Sequence, residues 1–387
     1  MQLSVIILNY NVRYFLELCV SSVQKSIVNL DAEIIVIDNN SSDDSCKMMQ
    51  ARFPNIKLIA NKKNSGFPKG NNIAVTEAQG EYICILHPDT VVAEDTFEKV
   101  LHFAKSKSNL GAVGCKLIDG AGGFLPESKR GIPTPWVAFT KVTGLYKVFP
   151  KWSLFNKYYA QHLNQNQTGA TDILVGAFMV LKKTDYLALN GFDEDCFMYS
   201  DDIDLSYRLL QLNKQNYYFA DTTVVHFKGE STIRDAKYRQ RFQEAMEYFY
   251  NKHFKPSFLF SMFMKLGSFV FAVIKKHQAV TIQKKADVSV LISTNEVLYA
   301  SILKSKNEKL KRLSKIEDFN VFSQKQNKSE IIEIILDTNT LKYKDCLAFM
   351  EQYSGKNMLF KLLPKESNFH LGSNNSNDRG TVVTNLY

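Results

Sequence analysis

Leu3-Ser-Val-Ile-Ile-Leu8 and Glu33-Ile-Ile-Val-Ile-Asp38 decide how this chain folds. Each is a short, β-branched, almost unbroken apolar run, the pattern of a strand covered on both faces of a parallel sheet. The chain between them, Tyr14 to Lys25, repeats apolar residues at helical spacing. Working outward, Asn39-Asn-Ser-Ser-Asp-Asp44 is rich in turn and cap residues and leads into a helix near Cys46 to Phe53. Ile56 to Ala60 reads as a third strand, Asn71 to Gln79 as a helix and Glu81-Tyr-Ile-Cys-Ile-Leu86 as a fourth strand. Strand and helix alternate with short connections. The fold class is therefore α/β, built on an open, mostly parallel sheet.

The 387 residues leave room for two or three domains. A net charge of +9 suits an anionic partner such as a nucleotide, a phospholipid surface or a lipid phosphate. No basic motif of a nucleic-acid-binding fold is present, so no nucleic acid is expected. Cysteines 19, 46, 84, 115, 196 and 346 form no CxxC pair and no zinc spacing, which fits unpaired thiols in a reducing compartment. Met1 runs straight into the apolar Leu3 to Leu8 without a basic segment or small-residue cleavage site, so no secretory leader is expected.

Ligands of open α/β sheets bind beyond the carboxyl ends of the strands. Polar clusters lie there: Asn9-Tyr10-Asn11, Asp38-Asn-Asn-Ser41 and His87-Pro-Asp89. Asp38 reads either as an Asx turn or as a ligand contact, and Asp89 either as the cap of a helix near Glu94 or as a site acid. Neither GxGxxG nor GxxxxGK[ST] follows the first strand, which disfavours a dinucleotide site and a P-loop. Asn64-Ser-Gly-Phe-Pro-Lys-Gly-Asn-Asn72 is a second dense patch. Gly66 and Gly70 allow close backbone approach, Lys69 is suited to a phosphate, and Asn71 or Asn72 is suited to capping a helix. Thr171 to Leu181 reads as a strand broken by Gly176, the mark of a bulge or of a closely approaching ligand. Met198-Tyr-Ser-Asp-Asp-Ile-Asp-Leu205 gathers Asp201, Asp202 and Asp204 before a helical run. Clustered carboxylates repel and are costly to desolvate, so they serve a metal, proton transfer or a helix cap. His226 ends a strand signal, Thr223 to His226, preceded by another at Tyr217 to Ala220. Trp136 to Asn166, aromatic and poorly periodic, reads as loops and short helices walling an acceptor side.

These motifs, with Gly191-Phe-Asp193, occur in the order found in family 2 glycosyltransferases, and the chain resembles the rhamnosyltransferase-like members of bacterial cell-surface polysaccharide synthesis over residues 1 to 250. The resemblance implies a GT-A fold and inverting transfer from a nucleotide-diphosphate sugar donor to a glycan or lipid-linked acceptor. It implies that Asp38 contacts the donor base or ribose, with Tyr10 and Asn11 beside the nucleotide. Gly66, Lys69, Asn71, Asn72 and Gly176 join them as candidate donor-binding residues. Asp89 matches the carboxylate that meets a metal on the diphosphate, Mg²⁺ or Mn²⁺, and His226 matches a histidine close to that metal. Asp202 matches the second acid of the family's ED pair, the base, and Asp201 stands where that pair usually has Glu. His87 departs from the usual Asn or Asp, and Phe227-Lys-Gly-Glu-Ser231 is poorer in glycine than the family's segment. The readings kept beside this one are a non-catalytic sugar-nucleotide-binding or scaffold protein of the same fold and a sugar nucleotidyltransferase.

The expected organisation is a glycosyltransferase domain over 1–254, an amphipathic segment and linker over 255–285, and a small Rossmann-like α/β domain over 286–387. Within 256–274 the polar residues Ser257, Ser261, Lys265, Ser268 and Lys275 fall on one helical stripe. An interface-lying helix is expected there, against a span or a buried inter-domain helix. That places the chain in the cytoplasm, peripheral on the inner face of the cell membrane. The last region carries strand signals at Val288 to Ile292, Ile331 to Leu336 and Met358 to Leu363, with helices over Val297 to Leu313 and Lys344 to Tyr353. It weakly resembles the small Rossmann-like region near nucleotide-sugar epimerases and polyprenyl-phosphate sugar transferases. Ser293-Thr-Asn-Glu296 stands where phosphate-binding glycines belong, so no cofactor is expected there. The sequence leaves the oligomeric state open.

Overall fold

The computed structural model describes residues 1–196, 199–227, 236–254, 285–306, 310–327, 329–374, 380–384 and 386. The amphipathic segment 256–274 and residues 228–231 lie outside them. The first sheet holds β1 (Leu3–Asn9), β2 (Ala32–Asp38), β3 (Lys57–Ala60), β4 (Tyr82–Leu86), β5 (Thr90–Val91), β6 (Leu110–Ile118), β7 (Gly169–Thr171), β8 (Phe178–Lys182) and β9 (Gln215–His226). Their spatial order is β3-β2-β1-β4-β8-β6-β9-β5, with β7 beside β9. β3, β2, β1, β4, β6 and β9 run one way, while β8, β5 and β7 run against them.

The two quoted runs explain this sheet. Leu3, Val5 and Ile7 of β1 pack into one apolar cluster with Ile34 and Val36 of β2. Ile6 and Leu8 pack into another with Ile35 and Ile37. Burial on both faces is what demands a continuous apolar run, and each such side chain contributes roughly 1.5–3 kcal/mol. The connecting helices are α1 (Arg13–Ser26), α2 (Ser45–Arg52), α3 (Phe67–Thr76), α4 (Thr96–Lys105), α5 (Pro135–Val142), α6 (Leu145–Val148), α7 (Lys183–Ala188), α8 (Asp201–Gln211) and α9 (Ala236–His253).

Three expectations change. α3 begins at Phe67, not Asn71, because Gly66 at φ 83° turns the chain and Pro68 fits the first helical turn. Asn71 and Asn72 are thus inside the helix rather than capping it. The strand signal 171–181 divides into β7 and β8, with Gly176 in the connection. The helix expected over 297–313 ends at Lys306, and Leu310–Leu313 pairs in parallel with Ser289–Ile292 as an edge strand. Pairing overrides a local helical preference there.

A second, six-stranded sheet has β10 (Val288–Ile292), β11 (Leu310–Leu313), β12 (Ile332–Asp337), β13 (Met358–Leu363), β14 (His370–Gly372) and β15 (Thr381–Val383) in the order β11-β10-β12-β13-β14-β15. Its helices are α10 (Glu296–Lys306), α11 (Asp318–Gln324) and α12 (Tyr343–Gln352). The two sheets share an apolar cluster in which Val12, Phe15, Leu18 and Phe227 meet Phe349, Met350 and Phe369. Glu94 accepts from the N–H groups of Tyr343 and Lys344 at 2.7 and 2.9 Å, so an acid from one region satisfies the helix N-terminus of the other. Lys25 and Arg52 donate to backbone carbonyls of Thr338, Lys365 and Glu366.

Candidate active site

β1 and β2 end side by side, with Asn9 in register with Asp38. Asp38 is buried. Its Oδ1 accepts from Ser41 N at 2.8 Å; its Oδ2 accepts from Asn9 Nδ2 and Ser41 Oγ, each at 2.7 Å. The Asx turn is therefore real, and it fixes the carboxylate at the strand end. Asn11 takes φ 56° and its Oδ1 accepts from Ser42 N at 2.7 Å, while Tyr10 is half-buried beside it. Asn39 is a residue that sequence reading missed. Buried, it accepts from Asn61 and Ser65 and donates to Asn64 Oδ1 and Gly66 O, pinning the loop that starts α3.

On α3, Lys69 is half-exposed and pairs with Glu194 at 2.8 Å. Asn72 accepts from Tyr186 OH and Phe192 N and donates to Phe192 O and Glu194. Asn71 donates to Phe67 O at 2.9 Å, and its buried Oδ1 has no hydrogen-bond partner among the described residues.

The β4 end holds the metal candidates. Thr90 of β5 pairs with His226 of β9, and Phe227 N donates to Asp89 O at 2.9 Å. That short antiparallel pairing brings Asp89 to His226 across a long stretch of chain. His226 Nε2 lies 3.4 Å from Asp89 Oδ1, His87 Nδ1 lies 3.8 Å from it, and the two ring nitrogens are 3.3 Å apart. Burial pushes the Asp89 carboxyl up, but the imidazoles of His226 and His87 outweigh it and hold it down at about 2. Burial and then His226 lower His87 to about 4, against the pull of Asp89 and Asp202. One carboxylate and two imidazoles converge. Ligand atoms bound at about 2.1 Å around an octahedral cation sit roughly 3 Å apart, close to this spacing, so the donor set fits a divalent ion.

Asp202 lies in the first turn of α8 and is buried. Its Oδ2 accepts from Arg130 Nη2 at 2.7 Å and from Gly176 N at 3.1 Å. Its Oδ1 is buried without a hydrogen-bond partner among the described residues. Burial works against the charge on Arg130, but Asp202 outweighs it and raises the guanidinium's pKa further. Gly176 explains itself here. A Cβ on it would stand 3.3 Å from Asp202 Cβ and 3.9 Å from His87 Nε2. Asp202 and His87 thus flank one glycine, and His87 N donates to Ala177 O at 3.0 Å. The acid and the metal candidates share one cleft. Phe67, at the start of α3, meets the His87 ring edge-on at 5.2 Å and completes its wall.

The other acids of the window differ. Burial, then the charge of Asp202, raises Asp201 to about 7, partly offset by backbone N–H groups of the helix start. Asp204 is enclosed by Arg208, Lys252 and His253 at 2.6, 2.8 and 2.7 Å and joins α8 to α9. Arg130, the partner of Asp202, is the largest omission of the sequence reading. Lys129-Arg130 looked like any basic dipeptide, and only the fold reveals its partner.

Residues 4–189 match the family described as Glycosyl transferase family 2. The N-acetylglucosaminyl-diphospho-decaprenol L-rhamnosyltransferase of Mycobacterium tuberculosis is 24% identical over 213 residues, covering 52% of this chain and 68% of its own. Rhamnosyltransferase WbbL of Escherichia coli K12 is 28% identical over 221 residues, covering 53% and 78%. Among solved structures, a mannosyltransferase from Pyrobaculum calidifontis in complex with GDP-Man and Mn²⁺ aligns over 72% of this chain and 76% of its own, with 16% identity and a TM-score of 0.48. The matched span runs from β1 through α7 and takes in the ends of β1, β2 and β4 but not Asp202 or His226, and residues 4–189 form a glycosyl transferase family 2 region similar to that of rhamnosyltransferases.

Proposed function

We propose that this glycosyltransferase moves a sugar from a nucleotide-diphosphate donor to a hydroxyl of a glycan or lipid-linked acceptor, with inversion, in cell-surface polysaccharide synthesis. One observation carries the reading. Asp202 has one oxygen fixed by Arg130 and Gly176 while the other has no partner among the described residues, in the cleft that holds His87, Asp89 and His226. A hydroxyl is a weak nucleophile and needs a positioned base as it attacks. Asp202 Oδ1 takes the acceptor's proton while the acceptor oxygen bonds to the anomeric carbon. The bond from that carbon to the donor phosphate breaks on the opposite face, and its electron pair leaves with the nucleoside diphosphate. Arg130 keeps the carboxylate aimed. Asp201, carrying its proton up to about pH 7, spares Asp202 a second adjacent negative charge.

Asp89, His226 and His87 would hold the divalent ion. A bound Mg²⁺ or Mn²⁺ would offset the charge growing on the departing diphosphate. Asp38, Tyr10 and Asn11 form the nucleoside end of the donor site. Gly66 leaves room for a phosphate, Lys69 exchanges Glu194 for it, and Asn71, Asn72 and Gly176 line the remaining wall. The mycobacterial relative is named for a diphospho-decaprenol-linked substrate, which supports a lipid-linked acceptor. Among the described residues no helix is long and apolar enough to cross a membrane. We place the chain peripherally on the cytoplasmic face, with catalysis in 1–254, membrane contact in 255–285 and docking or assembly in 286–387.

Purified chain incubated with a panel of nucleotide sugars, with Mg²⁺ or Mn²⁺ and with EDTA, tests this reading. Nucleoside diphosphate release that depends on both donor and metal is expected. Release unaffected by EDTA contradicts the metal's part, and none with any donor contradicts the reading.

A further inference from the structure

Both tryptophans of the chain, Trp136 and Trp152, lie in one short stretch with an unusual charge pattern. From Ser128 to Thr171 there is no Asp or Glu, while Lys129, Arg130, Lys141, Lys147, Lys151 and Lys157 are all cationic. The structure sorts these cations. Lys129 and Arg130 turn inward, to the carbonyls of Tyr159 and Ala160 and to Asp202. Lys141 sits 3.8 Å from the ring centroids of Tyr158 and Tyr159. Lys147, Lys151 and Lys157 face solvent.

The apolar side chains are sorted the same way. Trp136, Val148, Phe149, Trp152 and Leu154 are 42%, 67%, 36%, 62% and 54% exposed. The other large apolar side chains left exposed among the described residues, Met1, Val28, Leu187, Leu212, Val297 and Val321, lie elsewhere in the sequence. Here they cluster: Phe149 stacks near Trp152 and Phe155, and Trp136 near Phe139 and Phe155. The patch is joined to the catalytic side of the cleft. Gly131 N donates to the carbonyls of Lys157 and Tyr158, and the neighbouring residue Arg130 holds Asp202.

Exposed indole and phenyl rings ringed by lysines, with no acid between them, match the boundary of an anionic bilayer: rings at headgroup depth, ammonium groups among the phosphates. A protein partner needs no such one-signed charge, and a second copy of this surface would meet its own lysines. We propose that α5, α6 and the loop to Lys157 form a docking surface for an anionic lipid bilayer, setting the acceptor side of the cleft against the membrane. Its purpose rests on the membrane-held acceptor proposed above, but its test needs neither donor nor acceptor.

The two tryptophans make the patch its own reporter. Full-length protein is mixed with phosphatidylcholine vesicles with and without phosphatidylglycerol, and with brominated lipid as quencher. Emission should shift to the blue and be quenched with anionic vesicles only, and the effect should fade with salt. Lys147→Glu, Lys151→Glu and Lys157→Glu together should lower vesicle partition about 100-fold or more, from roughly fivefold per lysine charge. Trp152→Ser, a single surface change, should weaken it by about tenfold, and melting curves report that both variants fold. Nucleoside diphosphate release with a water-soluble acceptor should be unchanged in both variants. Unshifted emission in wild-type protein, or undiminished vesicle binding by the folded triple variant, overturns the proposal. So does a concentration-dependent dimer that Trp152→Ser dissolves. Vesicle binding without any sugar transfer would instead sink the functional reading and leave this surface standing.

Discussion

Arg130 Nη2 donates to Asp202 Oδ2 at 2.7 Å, with Asp202 buried and Arg130 partly so, and Asp202 Oδ1 is left without a hydrogen-bond partner among the described residues. The ion pair serves orientation more than stability, since burying two charges costs about as much as their attraction returns.

Removing one partner strands the other. Arg130→Met is expected to lower the unfolding free energy by roughly 3–5 kcal/mol and to reduce kcat. Asp202→Asn in the same chain should restore much of the stability and none of the activity. Urea unfolding of the two single variants and the double variant measures this. Additive losses would mean that the two groups do not act as a pair.

Gly176→Ala tests the packing behind the carboxylate. The new methyl group meets Asp202 Cβ at 3.3 Å, so Asp202 must shift by a few tenths of an ångström. Small displacements at a reacting group are costly, up to about 100-fold for 1 Å. A roughly tenfold fall in kcat is expected, larger than any loss of donor affinity, with melting temperature nearly unchanged. Parallel steady-state kinetics and donor titration check it.

Asp201 offers a pH signature. Its carboxyl is raised from 3.8 to about 7 by burial and by Asp202. A group raised on folding contributes stability that is full below its unfolded value and is lost as pH climbs through its folded value. Wild-type protein should therefore lose stability between about pH 4 and 7 from this source. Asp201→Asn should melt higher than wild type at pH 8, by roughly 5 °C, with the gap closing near pH 4. Calorimetry across that window gives the answer, and a gap independent of pH would reject the assignment.

The histidines predict a metal preference. Two imidazoles and one carboxylate are softer than the all-oxygen set Mg²⁺ favours, so Mn²⁺ should bind more tightly than Mg²⁺. His226→Ala should weaken Mn²⁺ binding by more than the roughly 10–100-fold typical of outer-shell partners. His87→Asn should narrow the gap between the two ions. Electron paramagnetic resonance of free Mn²⁺ reads this without any turnover.

The parts of the fold that were legible in sequence are those with strong local signals. β1 and β2 announce burial on two faces through unbroken Ile, Val and Leu, and the polar strand ends mark the cleft. What stayed hidden depends on long-range pairing. β5 is two residues long, too short for any periodicity, yet it carries Asp89 to His226. Arg130 and Asp202 are brought together only when Arg130 pairs with Ile173 across an isolated bridge. Leu310–Leu313 has helical neighbours and becomes a strand because β10 offers an open edge. The start of α3 was readable in Gly66 and Pro68, whose turn and first-turn signals outrank the two asparagines that follow.

The most direct test of the account is Asp202→Asn, with sugar transfer and donor affinity measured on the same preparation. Transfer should fall by about 100- to 10,000-fold, the usual worth of a general base, while the donor dissociation constant in Mn²⁺ stays within a few-fold of wild type. Near-normal transfer by the variant would contradict the account and remove Asp202 from the base role.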